Sequence, residues 1–185
     1  SISNNSSVSN GGGLFLQGTQ PDTMEIINTI IDSNYCLDGC KGSAIYLGVN
    51  EGNLSLKQVI LSNNGINGDV IIQGTIHVTG QNHLFVDNSS FINDNLYSID
   101  LEGTNGGGDV TIKNSIFFND WAPVTNYVNA SNEVNFSYSL ANVNPQDSEF
   151  ESFINGTGNL FNIDPLLLDP DNGDYHLSDY SPCIG

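Results

Sequence analysis

The 185-residue sequence predicts an all-β fold, a right-handed parallel β-helix of about five to six coils. Three observations predict it. Side-chain types recur every 24 to 30 residues, each recurring segment alternates apolar with polar residues, and the composition disfavours helices.

The recurrence emerges when the chain is anchored on Asn28, Gln58, Asn88, Asn114 and Tyr138, which lie 30, 30, 26 and 24 residues apart. Four residues before each anchor stand Met24, Leu54, Leu84, Val110 and Val134, and two before stand Ile26, Leu56, Val86, Ile112 and Phe136. Glu25, Ser55, Phe85, Thr111 and Asn135 fall between them, so each unit opens with a strand that has one apolar face. Three residues after the anchors come Ile31, Leu61, Phe91, Phe117 and Ala141, and six after come Asn34, Asn64, Asp94, Asp120 and Asn144, where the chain is expected to turn.

Further strands are expected at AIYL (44–47), DVIIQG (69–74), TIHV (75–78) and YSIDL (97–101). A unit this short cannot bury its apolar face alone, whereas units stacked at strand spacing can. A β-sandwich also has short, evenly spaced strands, but gives no reason for one side-chain type to return once per unit. One domain is expected over 1–185, with a partial first coil at 1–22, regular coils at 23–133, and a last coil with a closing module at 134–185. The chain is read as a fragment of a larger one.

Asn, Gly, Ser and Thr compete with the helical backbone and favour turns, in keeping with the all-β expectation. Three lysines and no arginine face 21 acidic residues, for a net charge of −18. Phosphate recognition draws on Lys and Arg, so nucleic acid is excluded as a partner. The longest apolar runs, such as Leu166-Leu167-Leu168, are too short to span a bilayer, so no direct membrane insertion is expected. An acidic surface suits a saline or cation-rich medium, and localisation outside the cell or on its surface is expected. Cys36 and Cys40, four apart, are then read as a disulfide in preference to two free thiols, and Cys183 as a buried apolar residue.

Asn28, Gln58, Asn88 and Asn114 are expected to form a structural ladder, amide bonded to amide from coil to coil. One residue earlier, Lys57, Asp87 and Lys113 alternate in sign and are expected to pair, leaving Lys41 alone. Carboxylates in one column, such as Asp94 with Asp120, make a glycosidase-like pair available, but a stacked acidic lattice makes such pairs by chance, and no catalytic residue is assigned. Calcium is the candidate cofactor. In DPDNGD, Asp169, Asp171 and Asp174 are its candidate ligands, although the glycine is one place early for the EF-hand order and an Asx-bonded turn is preferred. Trp121 and Tyr127, in a Pro-containing loop, are the candidate sugar contacts, set against a role in covering the core.

In NTIIDSN, NSSFINDN and NSIFFND the chain resembles secreted right-handed β-helix proteins of the pectate-lyase-like superfamily, and GGGLFL and GSAIYL match that family's second strand. The ending GNLFNIDPLLLDPDNGDYHLSDYSPCIG is similar to the module that closes the β-helix of many bacterial surface proteins. The resemblance implies a cell-surface solenoid, but that superfamily holds lyases, glycosidases and adhesins alike. A uronate lyase usually needs a basic residue near the reacting carbon, and with no arginine and Lys41 alone unpaired this segment lacks the usual parts of such a site. The expected function is therefore a non-catalytic extracellular module for adhesion or polysaccharide binding, with a polysaccharide or another surface protein as partner. The alternatives are part of a polysaccharide-degrading enzyme whose groove lies upstream, and a stalk or assembly module making end-to-end contact through the solenoid end.

Overall fold

The computed structural model describes residues 1–17, 23–37, 40–48, 52–67, 74–94, 97–102, 108–126, 133–143 and 154–184. The chain is an all-β parallel solenoid, and the only helix among these residues is one 3-10 turn, Pro170–Asn172.

The first rung holds β1 (Ile2–Ser3), β2 (Ser6–Ser7) and β3 (Leu14–Leu16). The second holds β4 (Thr23–Ile27), β5 (Ile30–Asp32), β6 (Tyr35–Leu37) and β7 (Ile45–Leu47). The third runs through β8 (Asn53–Lys57), β9 (Ile60–Ser62), β10 (Gly65–Asn67) and β11 (Ile76–Thr79). Next come β12 (His83–Asp87), β13 (Ser90–Ile92) and β14 (Ile99–Glu102), then β15 (Val110–Lys113), β16 (Ile116–Phe118) and β17 (Val124–Asn126). The last rungs are β18 (Val134–Ser137) with β19 (Leu140–Ala141), and β20 (Ile154–Asn155) with β21 (Leu160–Phe161). The chain ends in an antiparallel hairpin of β22 (Leu167–Asp169) and β23 (Asp174–Leu177).

Strands in equivalent positions pair in parallel. Sheet I is β4-β8-β12-β15-β18-β20, sheet II is β1-β5-β9-β13-β16-β19-β21, sheet III is β2-β6-β10, and sheet IV is β3-β7-β11-β14-β17. Among the described residues, only the rungs beginning at β4, β8, β12 and β15 carry strands in sheets I, II and IV, so complete turns are fewer than the expected five to six.

Ile26, Leu56, Val86, Ile112 and Phe136 stand in one file on sheet I, and Ile31, Leu61, Phe91, Phe117 and Ala141 in one on sheet II. Sheet IV adds Leu14, Ile45, Ile76, Ile99 and Val124. These three files close on one another as a single apolar interior. The aromatic members Phe91 and Phe117 stack at 4.5 Å between ring centroids. Of the expected strand 69–74, only Gly74 lies among the described residues.

The corners depart from the expected pattern in an informative way. Asn28, Gln58, Asn88, Asn114 and Tyr138 all take left-handed backbone, φ 50 to 55°, between sheets I and II. That conformation turns their side chains outward into solvent, and among the described residues their amides do not bond one another. The amide ladder lies at the next corner instead. Asn5 donates its backbone N–H and Nδ2 to Asn34 Oδ1 at 3.1 and 2.9 Å, Asn34 does the same to Asn64 Oδ1, and Asn64 to Asp94 Oδ1 at 2.8 and 3.3 Å. The Asp94 N–H continues to Asn119 Oδ1 at 2.9 Å, so Asn119, not Asp120, occupies Asp94's column. The earlier rungs insert a left-handed residue there (Asn4, Ser33, Asn63, Asn93), whereas Phe118 leads directly to Asn119. One residue is missing at that turn, and Asp120 is displaced to the exposed surface.

Candidate ligand-binding groove

The residue after each left-handed anchor points inward and ties rung to rung. Val59 N–H donates to Ser89 Oγ at 3.1 Å, Ser89 N–H to Ser115 Oγ at 3.2 Å, Ser115 N–H to Ser139 Oγ at 3.1 Å, and Ser139 N–H to Asn159 Oδ1 at 3.2 Å. Each serine hydroxyl also donates to the carbonyl two residues back, at Asp87, Lys113 and Ser137. This buried ladder makes the corner rigid, because every member has its donors and acceptors engaged in a low-dielectric interior. The outward anchors therefore stand at fixed one-rung intervals, about 4.8 Å apart.

Against this corner lies a groove of about 610 Å³. Its floor is the file of outward residues that opens each strand of sheet II: Ser90, Ile116, Leu140 and Leu160. One wall is the anchor column, Asn88, Asn114 and Tyr138, ending at Gly158. Tyr138 is 66% exposed, and its ring lies 2.6 Å from where a Cβ at Gly158 would stand, so a side chain there would displace the ring. The far wall is the terminal segment, with Tyr175, Leu177, Pro182 and Cys183.

That wall is held by local chemistry. β22 and β23 pair antiparallel around the 3-10 turn, which closes at Gly173 in left-handed backbone, φ 83°. Ser178 N–H donates to the Leu166 carbonyl at 2.9 Å, and the buried Ser181 hydroxyl donates to the Pro165 carbonyl at 2.6 Å. Asn63 Nδ2 reaches the Tyr175 hydroxyl at 3.3 Å, which fastens the hairpin to the solenoid. The result is a trough with apolar floor, amide wall and two tyrosines, the mix of flat apolar surface and few oriented polar groups that suits a small polar ligand.

A second constellation sits on the outer side of sheet IV. Phe15, Tyr46, His77 and Asp100 share one file, with ring centroids 5.1 Å apart for Phe15–Tyr46 and 5.4 Å for Tyr46–His77. His77 Nδ1 lies 2.6 Å from Asp100 Oδ2, and Nε2 lies 3.0 Å from Glu102 Oε2, which Lys41 Nζ also contacts. The Lys41 hydrogen bond holds the Glu102 carboxyl below its ordinary range against partial burial, with further help from the charges of Lys41 and His77. The His77 ring is buried with both nitrogens engaged, so it is closed to a substrate and acts as a clamp between rungs.

The sequence-predicted residues are placed as follows. Cys36 and Cys40 are joined by a disulfide, with Cα atoms 5.3 Å apart. Cys183 is not a buried core residue: it is half-exposed in the groove wall, where burial pushes its thiol pKa up against a hydrogen bond with Ser181. Lys41 is not alone, since Glu102 pairs with it, and Lys57 reaches Glu25 at 2.5 Å rather than Asp87. Asp87 instead accepts Asn114 Nδ2 at 3.1 Å.

Among the described residues no group of three or more His, Cys, Asp or Glu side chains could hold a metal ion. Asp169 accepts Asn172 Nδ2 on both carboxylate oxygens, Asp174 Oδ1 accepts from the His176 backbone and lies 2.6 Å from its Nδ1, and Asp171 is exposed in the 3-10 turn. Trp121 is half-exposed and packs edge-on against Tyr97, away from the groove, while Tyr127 lies outside the described residues.

Sequence reasoning missed Tyr138 and Tyr175 as groove residues and the His77–Asp100 pair. A signal existed for each. Tyr138 breaks an otherwise amide column, and His77 and Asp100 occupy equivalent places in two of the expected strands. Comparisons of the chain with family models, with curated proteins and with solved structures find no match.

Proposed function

We propose that this chain is an extracellular cell-surface module that binds a polysaccharide in the groove between the anchor column and the terminal hairpin, without catalysing its cleavage. The observation that carries the proposal is the groove itself: Tyr138 and Tyr175 offer rings for stacking on sugars, Asn88 and Asn114 offer amides for hydroxyls, and Ile116, Leu140 and Leu160 give an apolar floor. The acidic surface and the Cys36–Cys40 disulfide support a place outside the cell. Membership of the pectate-lyase-like superfamily, and kinship of residues 158–185 with the closing module of surface proteins, belong to the same proposal and rest on the repeat and terminal motifs. The absence of catalysis is supported by the burial of the His77 and Asp100 side chains.

Calorimetric titration of soluble plant and microbial polysaccharides into the protein tests the proposal. Binding is expected for at least one, with Tyr138→Ala lowering affinity by roughly tenfold or more, the usual cost of removing a stacking aromatic. Equal binding by Tyr138→Ala, or cleavage of the bound polymer by the wild-type chain, would overturn it.

A further inference from the structure

We infer that the groove takes an uncharged, extended glycan laid parallel to the solenoid axis, with one sugar per rung against the corner amides; this rests on the polysaccharide-binding proposal and names its ligand class. The first ground is periodicity. Asn28, Gln58, Asn88 and Asn114 form one exposed column in the same left-handed conformation, one per rung. Rungs advance by about 4.8 Å, close to the advance per sugar of an extended β-1,4-linked chain, so successive sugars meet successive amides in register.

The second ground is hydrogen-bonding capacity. Among the described residues, Asn28, Gln58 and Asn88 make no side-chain hydrogen bond, while Asn114 commits Nδ2 to Asp87 and keeps Oδ1 free. A primary amide both donates and accepts, as a sugar hydroxyl does, whereas a carboxylate-bearing sugar calls for fixed positive charge.

The third ground is charge. Lys41 and Lys57 are held by Glu102 and Glu25, which leaves Lys113, exposed one residue before Asn114, as the one lysine among the described residues without an ion pair. Asp174 in the hairpin is held below its ordinary carboxyl range by hydrogen bonds from His176, so it stays ionised. An acidic glycan would meet a net charge of −18 with one lysine, Lys113, beside the wall to offset it.

The test titrates neutral β-1,4-linked gluco-, manno- and xylo-oligosaccharides, from dimer to hexamer, against galacturonate and glucosamine oligomers of the same lengths. Affinity for at least one neutral series is expected to rise roughly tenfold or more from dimer to pentamer, as added sugars engage added rungs within one binding event. Asn28→Gly and Gln58→Gly keep the left-handed backbone without strain and are expected to weaken the hexamer several-fold while leaving the dimer unchanged. Affinity independent of length, insensitivity of the hexamer to both glycine variants, or tighter binding of galacturonate or glucosamine oligomers overturns the inference. If those outcomes accompany Tyr138-dependent binding of any glycan, the polysaccharide-binding proposal survives; with no Tyr138-dependent binding, both fall.

Discussion

Asp94 is the one acid in a column of amides, and its surroundings treat it as an amide. Asn34 Nδ2 donates to the Ile2 carbonyl and Asn64 Nδ2 to the Ile31 carbonyl at 2.9 Å; by the same register the equivalent acceptor for position 94 is the Leu61 carbonyl. Asp94 brings no donor there unless protonated, and its Oδ2 and the nearby Thr75 hydroxyl are both buried without an aligned partner. Burial raises the Asp94 pKa to about 7, the charge of Asp32 adds to the rise, and hydrogen bonds from Asn64 oppose it. The folded pKa lies above the ordinary 3.8, so the protonated side chain stabilises the fold at low pH, and that stabilisation is lost as pH rises through about 7. A shift of this size corresponds to roughly 4 kcal/mol. Asp94→Asn supplies the missing donor at every pH. Urea denaturation is expected to show its advantage over wild type growing by roughly 1–3 kcal/mol from about pH 5 to about pH 8, and vanishing only below about pH 4. An equal effect at both values would mean that Asp94 is not neutral in the fold.

At the scale of elements, the groove joins a rigid corner to an appended hairpin, and these two parts differ in how they are held. The corner is fixed by rungs on both sides and by the serine ladder. The terminal wall depends on few long-range ties, chiefly Asn63 to Tyr175, and on the Ser181 hydroxyl, which bonds the Pro165 carbonyl and accepts the Cys183 N–H at 3.1 Å. Ser181→Ala leaves that buried carbonyl unpaired, at a cost of about 1–3 kcal/mol confined to the wall. Hydrogen exchange is expected to speed up over residues 165–183 while β12 to β16 keep their protection, and glycan affinity is expected to fall without loss of the solenoid. Uniform loss of protection would mean that wall and solenoid unfold as one unit.

The same contrast explains what the sequence made legible. Files such as Ile26–Leu56–Val86–Ile112 were readable because strand alternation and rung length act on adjacent residues. Residue spacing reveals the anchor column but not its left-handed backbone, which turns the amides outward and leaves the ladder to the next corner. The Asp94–Asn119 pairing was hidden by a one-residue shortening, and the groove by a fold-back that brings Tyr175 to Asn63, 112 residues away in sequence. No local pattern encodes that contact.

For the whole molecule, the balance of charge sets how stability responds to solution conditions. A net charge of −18 on a rod of stacked rungs repels itself, and screening weakens that repulsion as the Debye length falls from ~30 Å at 0.01 M salt to ~3 Å at 1 M. The opposing effect is small: Lys41–Glu102 and Lys57–Glu25 are part-exposed ion pairs, each worth about 0–1 kcal/mol before screening. Relief of repulsion therefore wins, and the thermal midpoint is expected to rise monotonically with sodium chloride. Calcium raises a separate question, because an acidic surface gathers divalent ions without any built site. The described residues hold no group of three or more acidic, His or Cys side chains around one point, so calcium compared with sodium at matched ionic strength is expected to add only a small, non-saturating increment. A saturable rise at micromolar calcium would instead mark a specific site, since a ligand that binds only the folded state stabilises it by RT ln(1 + [L]/Kd). Loss of that rise in Asp169→Asn or Asp171→Asn would return the site to the hairpin, and its persistence in both would place it elsewhere on the chain.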